Sequence, residues 1–169
     1  MKCLFVIDVQ NGFISSKTSH IVPHITQLVN DFSDGDIIAT KFINADKSPY
    51  EVFMNWGRLK VSPEIDLLPQ VQDKANLIVE KNIYSACTEE VLKYLCINNI
   101  DEVFLAGIDT DCCVLKTATD LFEHGIRPIV LTDYCASNGG LASHDAAITV
   151  LKRTIGNRQI VSGKFLSPL

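Results

Sequence analysis

Six short apolar runs with β-branched residues, separated by stretches with helical periodicity, constrain this chain more than any other feature. They occupy residues 3–7, 36–40, 76–80, 102–106, 128–132 and 159–161. Each is short enough to be a strand buried on both faces. Between them, Ser19 is placed to cap a helix with Pro23 in its first turn and Ile21, Ile25, Leu28, Val29 and Phe32 on one face. Thr88 is placed to cap a second, carrying Val91, Leu92 and Leu95. A third runs from about Asp111 to His124, with Val114, Ala118, Leu121 and Phe122 inward and Gly125 as its stop. Ser143 caps a fourth, with Ala147, Ile148, Leu151 and Ile155, ending at Gly156. Strands alternating with helices imply right-handed βαβ units, a parallel sheet and helices on both faces. The expected fold is a three-layer α/β/α domain.

Residues 1–169 read as one such domain, long enough to bury roughly 70% of the unfolded chain's surface. A composition of 47% hydrophobic and 21% charged residues excludes a disordered or collagen-like chain. The net charge of −5 supplies no basic field, so neither nucleic acid nor an anionic membrane is an expected partner, and a small molecule is. The apolar run after Lys2 is ended by Asp8, too short for a signal-peptide core, and no run approaches the ~18 residues of a membrane span. The six cysteines are therefore expected in a reducing, cytoplasmic setting. With no CxxC and no histidine at zinc spacing, a structural zinc site is not expected.

In a doubly wound sheet, ligands bind beyond the carboxyl ends of the strands. Asp8 ends the first strand, Lys81 the third, and Cys112 and Cys113 follow the fourth, in the turn Gly107-Ile108-Asp109-Thr110-Asp111-Cys112-Cys113-Val114. An acid, an amine and a thiol thus meet at one edge. A helix N-terminus and a nearby ammonium stabilise thiolate, which predicts a thiol pKa lowered from ~8.5, and exposed backbone amides can hold an oxyanion. Residues 42–74 form a long connection with Pro49, Pro63 and Pro69 and an aromatic cluster of Tyr50, Phe53 and Trp56, expected to be a pocket wall, a lid or an oligomer contact. Phe13, Phe42, Trp56 and Tyr84 are candidate pocket residues; Cys135 is expected to be packing, and His144 a structural hydrogen bonder.

Asp8-Val9-Gln10-Asn11-Gly12-Phe13, the strand ending Val79-Glu80-Lys81, and Thr110-Asp111-Cys112-Cys113-Val114 together resemble three signatures of the isochorismatase-like cysteine hydrolases, in the same order. That superfamily includes nicotinamidases and N-carbamoylsarcosine amidase. The resemblance covers almost the whole chain and implies a six-stranded parallel sheet in the order 3-2-1-4-5-6. It implies Cys113 as nucleophile, Asp8 as proton acceptor, Lys81 as their charged neighbour, a cis Ile108–Asp109 peptide, and the amides of Asp109 and Cys113 as oxyanion donors. It also implies a homo-oligomer. Two departures stand out. Asp109 replaces a small residue beside the oxyanion hole, so its carboxylate is expected to point away or to meet the substrate. Nicotinamidases hold zinc or iron through an Asp-x-His arrangement and a further histidine after the second strand, but residues 39–81 contain no histidine. The expectation is a cofactor-free cysteine hydrolase of small amide-like substrates. The alternatives are vinyl-ether hydrolysis of isochorismate, with Lys41 and Arg58 as the basic residues nearby, a non-catalytic scaffold, or a redox-responsive thiol protein built on Cys112 and Cys113.

Overall fold

β1 (Lys2–Ile7) sits at the centre of the sheet, parallel to β2 (Gly35–Phe42) on one side and to β4 (Glu102–Ile108) on the other. Its six side chains divide by parity, as a strand dictates. Cys3, Phe5 and Ile7 enter one apolar cluster, and Leu4 and Val6 the other. The computed structural model describes residues 1–163, so the last six residues of the expected 1–169 domain lie outside the described residues. β3 (Leu77–Lys81), β5 (Arg127–Ala136) and β6 (Ile160–Val161) complete an all-parallel sheet in the order β3-β2-β1-β4-β5-β6, the expected one.

The order determines which face each helix covers. Right-handed crossovers from β1 to β2 and onward to β3 run over one face, where α1 (Val22–Asp31) contributes Ile25, Leu28 and Val29, and the short α3 (Pro69–Gln72) contributes Val71. From β3 the chain returns across the other face, covered by α4 (Glu89–Ile97), α5 (Leu115–Glu123) and α6 (Leu141–Thr154). Side chains such as Phe5, Leu105 and Leu121 are fully buried in this way, each stabilising the fold by ~1.5–3 kcal/mol.

The expected helix starts hold at one place and fail at three. Thr88 caps α4, its side chain accepting from the Val91 amide. Ser19 does not cap α1: it opens a 3-10 turn, Ser19–Ile21, that feeds straight into the helix. Ser143 lies inside α6, which begins after Gly140, a residue with φ +90° that only glycine adopts readily. The helix expected over 111–124 is divided. Thr110–Val114 forms a π turn, closed by the Val114 amide donating to the Asp109 carbonyl at 3.1 Å, before α5 begins. β5 runs four residues past its expected end, because a register shift between Leu105 and Gly107 lets Cys135 and Ala136 pair with Gly107 and Ile108. Gly107 itself has φ +133°, and a Cβ there would lie 2.1 Å from the Ile7 carbonyl. Close approach of β1 and β4 just below the turn therefore requires glycine.

Candidate active site

Asp8, the first residue beyond β1, has φ 51°, a left-handed conformation uncommon outside glycine and asparagine. Both of its carboxylate oxygens are occupied: Oδ1 accepts from Thr40 Oγ1 at 2.7 Å and Oδ2 from Lys81 Nζ at 2.7 Å. The Asp8 and Lys81 side chains are completely buried. Lys81 reaches from β3 past β2 to Asp8, two strand spacings or roughly 9.5 Å, a span that needs a long, unbranched stem. Its ammonium also donates to the carbonyls of Ile83 (2.9 Å) and Tyr84 (3.1 Å), lies 3.6 Å from Cys113 Sγ and sits 5.3 Å from the centre of the Phe42 ring. Acid, amine and thiol are thus in contact, and the Cys113 thiol also lies within hydrogen-bonding reach of the Asp8 carboxylate.

The π turn sets the thiol's approach. The Asp109 carbonyl accepts from the amides of Cys112 and Val114, both at 3.1 Å, and the Cys113 amide lies between those two donors in the chain. The Ile108–Asp109 peptide is cis. Thr110, fully buried, exchanges a 2.8 Å hydrogen bond with His144 Nδ1, and Asp111 accepts from Ser137 Oγ at 2.5 Å, so α6 and the end of β5 brace the turn from behind.

One expectation is overturned by burial. Cys113 is only 4% exposed, and among the described cysteines it is Cys96 that is exposed. Burial first, and then the Asp8 carboxylate, push the Cys113 thiol well above its ordinary value, against the pull of Lys81. The shift runs opposite to the lowered thiol pKa expected from the sequence, and at neutral pH the group is a thiol. Burial also works against the Lys81 ammonium, but Asp8 and Cys113 outweigh it and hold its pKa above the ordinary lysine value. Cys112 and Cys135 are each pushed up to about 12, chiefly by burial.

Beside the thiol lies a cavity of about 230 Å³. Phe13, Phe42, Trp56 and Tyr84 all line it, together with Asp109, Cys112 and Cys113. Tyr50, expected only in the aromatic cluster of the connection, and Asn138, which the sequence did not single out, line the cavity too; the aim of Tyr50, in α2 (Pro49–Met54), depends on the path of residues 42–74, and that of Asn138, in the loop after β5, on its hydrogen bonds to Asp109 and to the Phe13 carbonyl. Gln10 fixes that path. Its Nε2 donates to the carbonyls of Phe42 (2.9 Å) and Ile65 (2.8 Å), and its Oε1 accepts from the Phe42 amide at 2.8 Å, tying the start of the connection and a point two thirds of the way along it to β1's exit.

The stretch after β2 does not fit a bound metal. The chain there presents Ile43, Asn44 and Ala45, and the Asn44 amide is taken up by the carbonyls of Trp56 and Arg58 and by Ser48 Oγ. Asp46 is an exposed loop residue, bound at 2.7 Å to the Lys60 ammonium, which also meets Glu51 at 3.1 Å. A cation of the chain's own already occupies the nearest pair of carboxylates. Among the described residues no group of three or more His, Cys, Asp and Glu side chains is arranged to hold a metal ion, and no helix is long and apolar enough to cross a membrane.

A sheet of this order with this cluster at its carboxyl edge defines the class of isochorismatase-like hydrolase folds. The chain belongs to the isochorismatase family: the isochorismatase domain model matches residues 2–160. Isochorismatase family protein 1A of Dictyostelium discoideum is 30% identical over 138 residues, 80% of this chain and 63% of that protein, so the chain spans under two thirds of this relative's length. A nicotinamidase of Saccharomyces cerevisiae is 28% identical over 191 residues, covering 79% of this chain and 87% of that protein. Among solved structures, N-carbamoylsarcosine amidase from Thermoplasma acidophilum superposes with a TM-score of 0.83 at 22% identity, covering 99% of this chain and 98% of that one.

The buried pair makes a stability prediction. Lys81→Met keeps most of the stem and leaves Asp8 as an uncompensated buried charge, so urea unfolding at neutral pH should report a loss of about 3–5 kcal/mol. A loss below about 1 kcal/mol would mean that water already reaches the pair.

Proposed function

We propose that the chain is a metal-independent cysteine hydrolase of small amide-like substrates (amide, carbamoyl or ureido) acting through a thioester. The observation that carries this reading is the Lys81 ammonium, 2.7 Å from Asp8 Oδ2 and 3.6 Å from Cys113 Sγ, beside a cavity sized for a small molecule. Family membership and the amide-hydrolysing relatives support it. The reaction starts from a neutral thiol. As Cys113 Sγ attacks the substrate carbonyl carbon, its proton passes to Asp8, so thiolate forms only as it is used. Lys81 stabilises the negative charge wherever it sits in the pair. The oxyanion is held by the amides of Asp109 and Cys113. Asp8 returns the proton to the leaving nitrogen, the C–N bond breaks, and a thioester remains. Water, giving a proton to Asp8, attacks that carbon; the C–S bond breaks, the acid is released and the thiol is restored.

The vinyl-ether alternative requires a pocket for an anion. Lys41 is directed to Glu80 at 3.6 Å, and Arg58, which does line the cavity, places Nε and Nη2 on Glu64 Oε1 at 3.1 and 3.0 Å. Both basic residues are already paired, which favours the amide reading. The free cysteines fit a reducing, cytoplasmic setting. A homo-oligomer is part of this reading: Val52, Phe53, Met54 and Val61 of the connection are 60–83% exposed, an apolar face suited to a second copy.

Release of ammonia from a panel of small amides, ureas and carbamoyl compounds tests the activity. Cys113→Ala should abolish it, and Asp8→Asn should lower kcat/KM by ~10²–10⁴. The double variant should be scarcely worse than Cys113→Ala alone, since the residues act as a unit; near-normal turnover by Asp8→Asn would refute the proton transfer. Activity should survive exhaustive dialysis against a chelator, and a loss restored by zinc or iron would overturn the metal-independent reading. Light scattering at micromolar concentration should give a mass above the 18.7 kDa of one chain, a monomer being the contrary result.

A further inference from the structure

The cavity beside Cys113 has a charge as well as a shape. Lys81 is matched by Asp8, and Arg58 by Glu64, whose other oxygen accepts from the Leu59 amide at 2.8 Å. Asp109 has no cation partner among the described residues. Its Oδ1 accepts from the Asn138 amide (2.8 Å) and from Asn138 Nδ2 (3.0 Å), both neutral donors, while Oδ2 takes no hydrogen bond among the described residues and belongs to a side chain that lines the cavity. Most of the remaining wall is aromatic. Phe13 stacks on Trp56 (centroids 6.1 Å, planes 15° apart), and Tyr50 meets both Phe42 and Tyr84 edge-on, at 5.2 and 5.1 Å. Ring faces carry partial negative charge and attract cations, and a carboxylate among them adds to that field.

We propose that this cavity selects substrates bearing a positively charged nitrogen, an ammonium, amidinium or guanidinium group, which binds between Asp109 Oδ2 and the aromatic wall while the amide lies against Cys113. Two independent features carry the inference: a carboxylate held by neutral donors with one oxygen open, and a lining whose basic residue is cancelled by its own partner. Binding of the cation stands on these features alone; only the cleavage that follows rests on the amide-hydrolase reading. The cation also answers the difficulty Asp109 poses, because a bound positive group offsets its charge before the oxyanion develops nearby. Burial chiefly, with Asp111 and Asp8 adding, raises the Asp109 pKa to about 6, against the Asn138 hydrogen bonds. The ionisable groups around it are Asp8 just beyond β1, Asp111, Cys112 and Cys113 from its own turn, and Tyr50, Arg58 and Tyr84 in the same cavity lining. Asp109 is therefore charged at pH 7.5, and selectivity for a cation falls as the pH drops through about 6 and the carboxyl takes up a proton.

Two assays separate binding from chemistry. In the first, benzylamine, benzyl alcohol and benzoate compete with iodoacetamide for Cys113, read as alkylation of the Cys113 peptide by mass spectrometry. At pH 7.5 benzylamine should protect at a concentration at least 10-fold lower than benzyl alcohol, with benzoate weakest. The margin should shrink at pH 5, where benzylamine is still an ammonium, and in Asp109→Asn. Glu64→Gln leaves the Asp109 contacts untouched and frees the Arg58 charge, so it should also narrow the margin and improve benzoate. Equal protection by the amine and the alcohol at pH 7.5, or better protection by benzoate, overturns the proposal. In the second assay, ammonia release is compared for 3-aminopropanamide and 3-hydroxypropanamide, and for 4-(aminomethyl)benzamide and 4-(hydroxymethyl)benzamide. Faster release from the amines supports the proposal. Equal or faster release from the neutral partners overturns it while the amidase reading stands. Selective protection with no release from any of the four supports the cation site and counts against amide hydrolysis.

Discussion

An ion pair with no access to water is the constraint around which this site is organised. Moving a carboxylate and an ammonium out of water is unfavourable by several kcal/mol per ion, and their attraction offsets that only when the geometry is close and the remaining hydrogen-bonding capacity is used. Both conditions are met. Asp8 receives Thr40 and Lys81, and Lys81 adds two backbone carbonyls and a sulfur. Three neighbouring strands are thereby joined through side chains, β1 by Asp8, β2 by Thr40 and β3 by Lys81, and the left-handed backbone of Asp8 is held where the pair needs it. A hydrophobic replacement would serve stability as well or better. Charge in so dry a place, next to a thiol, is what the proposed proton transfer requires.

The same burial explains why the thiol is protonated at rest. In water, a lysine beside a cysteine lowers the thiol pKa. Here Asp8 already neutralises that lysine, so Cys113 meets a neutral pair in a low-dielectric interior and keeps its proton. Such a thiol reacts slowly with simple electrophiles, through its small thiolate fraction.

The strands were legible because a sheet covered on both faces writes itself as continuous apolar runs, and Asp8 and Lys81 were legible because each ends such a run. The thiol followed from its place after β4, with motif resemblance choosing Cys113 over Cys112. What escaped was whatever depends on tertiary packing. The starts of α1 and α6 are set by a 3-10 turn and by Gly140, not by the serines nearby. The ionisation of Cys113 depends on how deeply the turn is packed, the aim of Tyr50 on a connection whose route is constrained by Gln10, and that of Asn138 on its hydrogen bonds to Asp109 and the Phe13 carbonyl. No local pattern records these.

Gln10 separates two jobs that a single chain segment would otherwise have to share. Because one amide side chain in the turn after β1 anchors the connection at Phe42 and again at Ile65, the residues between them that face the cavity carry little of the sheet's own packing. Trp56 and Arg58 belong to that stretch. Substitutions there can change what the cavity accepts without disturbing Asp8, Lys81 or Cys113. In evolutionary terms, this architecture would let the cavity wall drift while the buried Asp8, Lys81 and Cys113 cluster keeps its geometry.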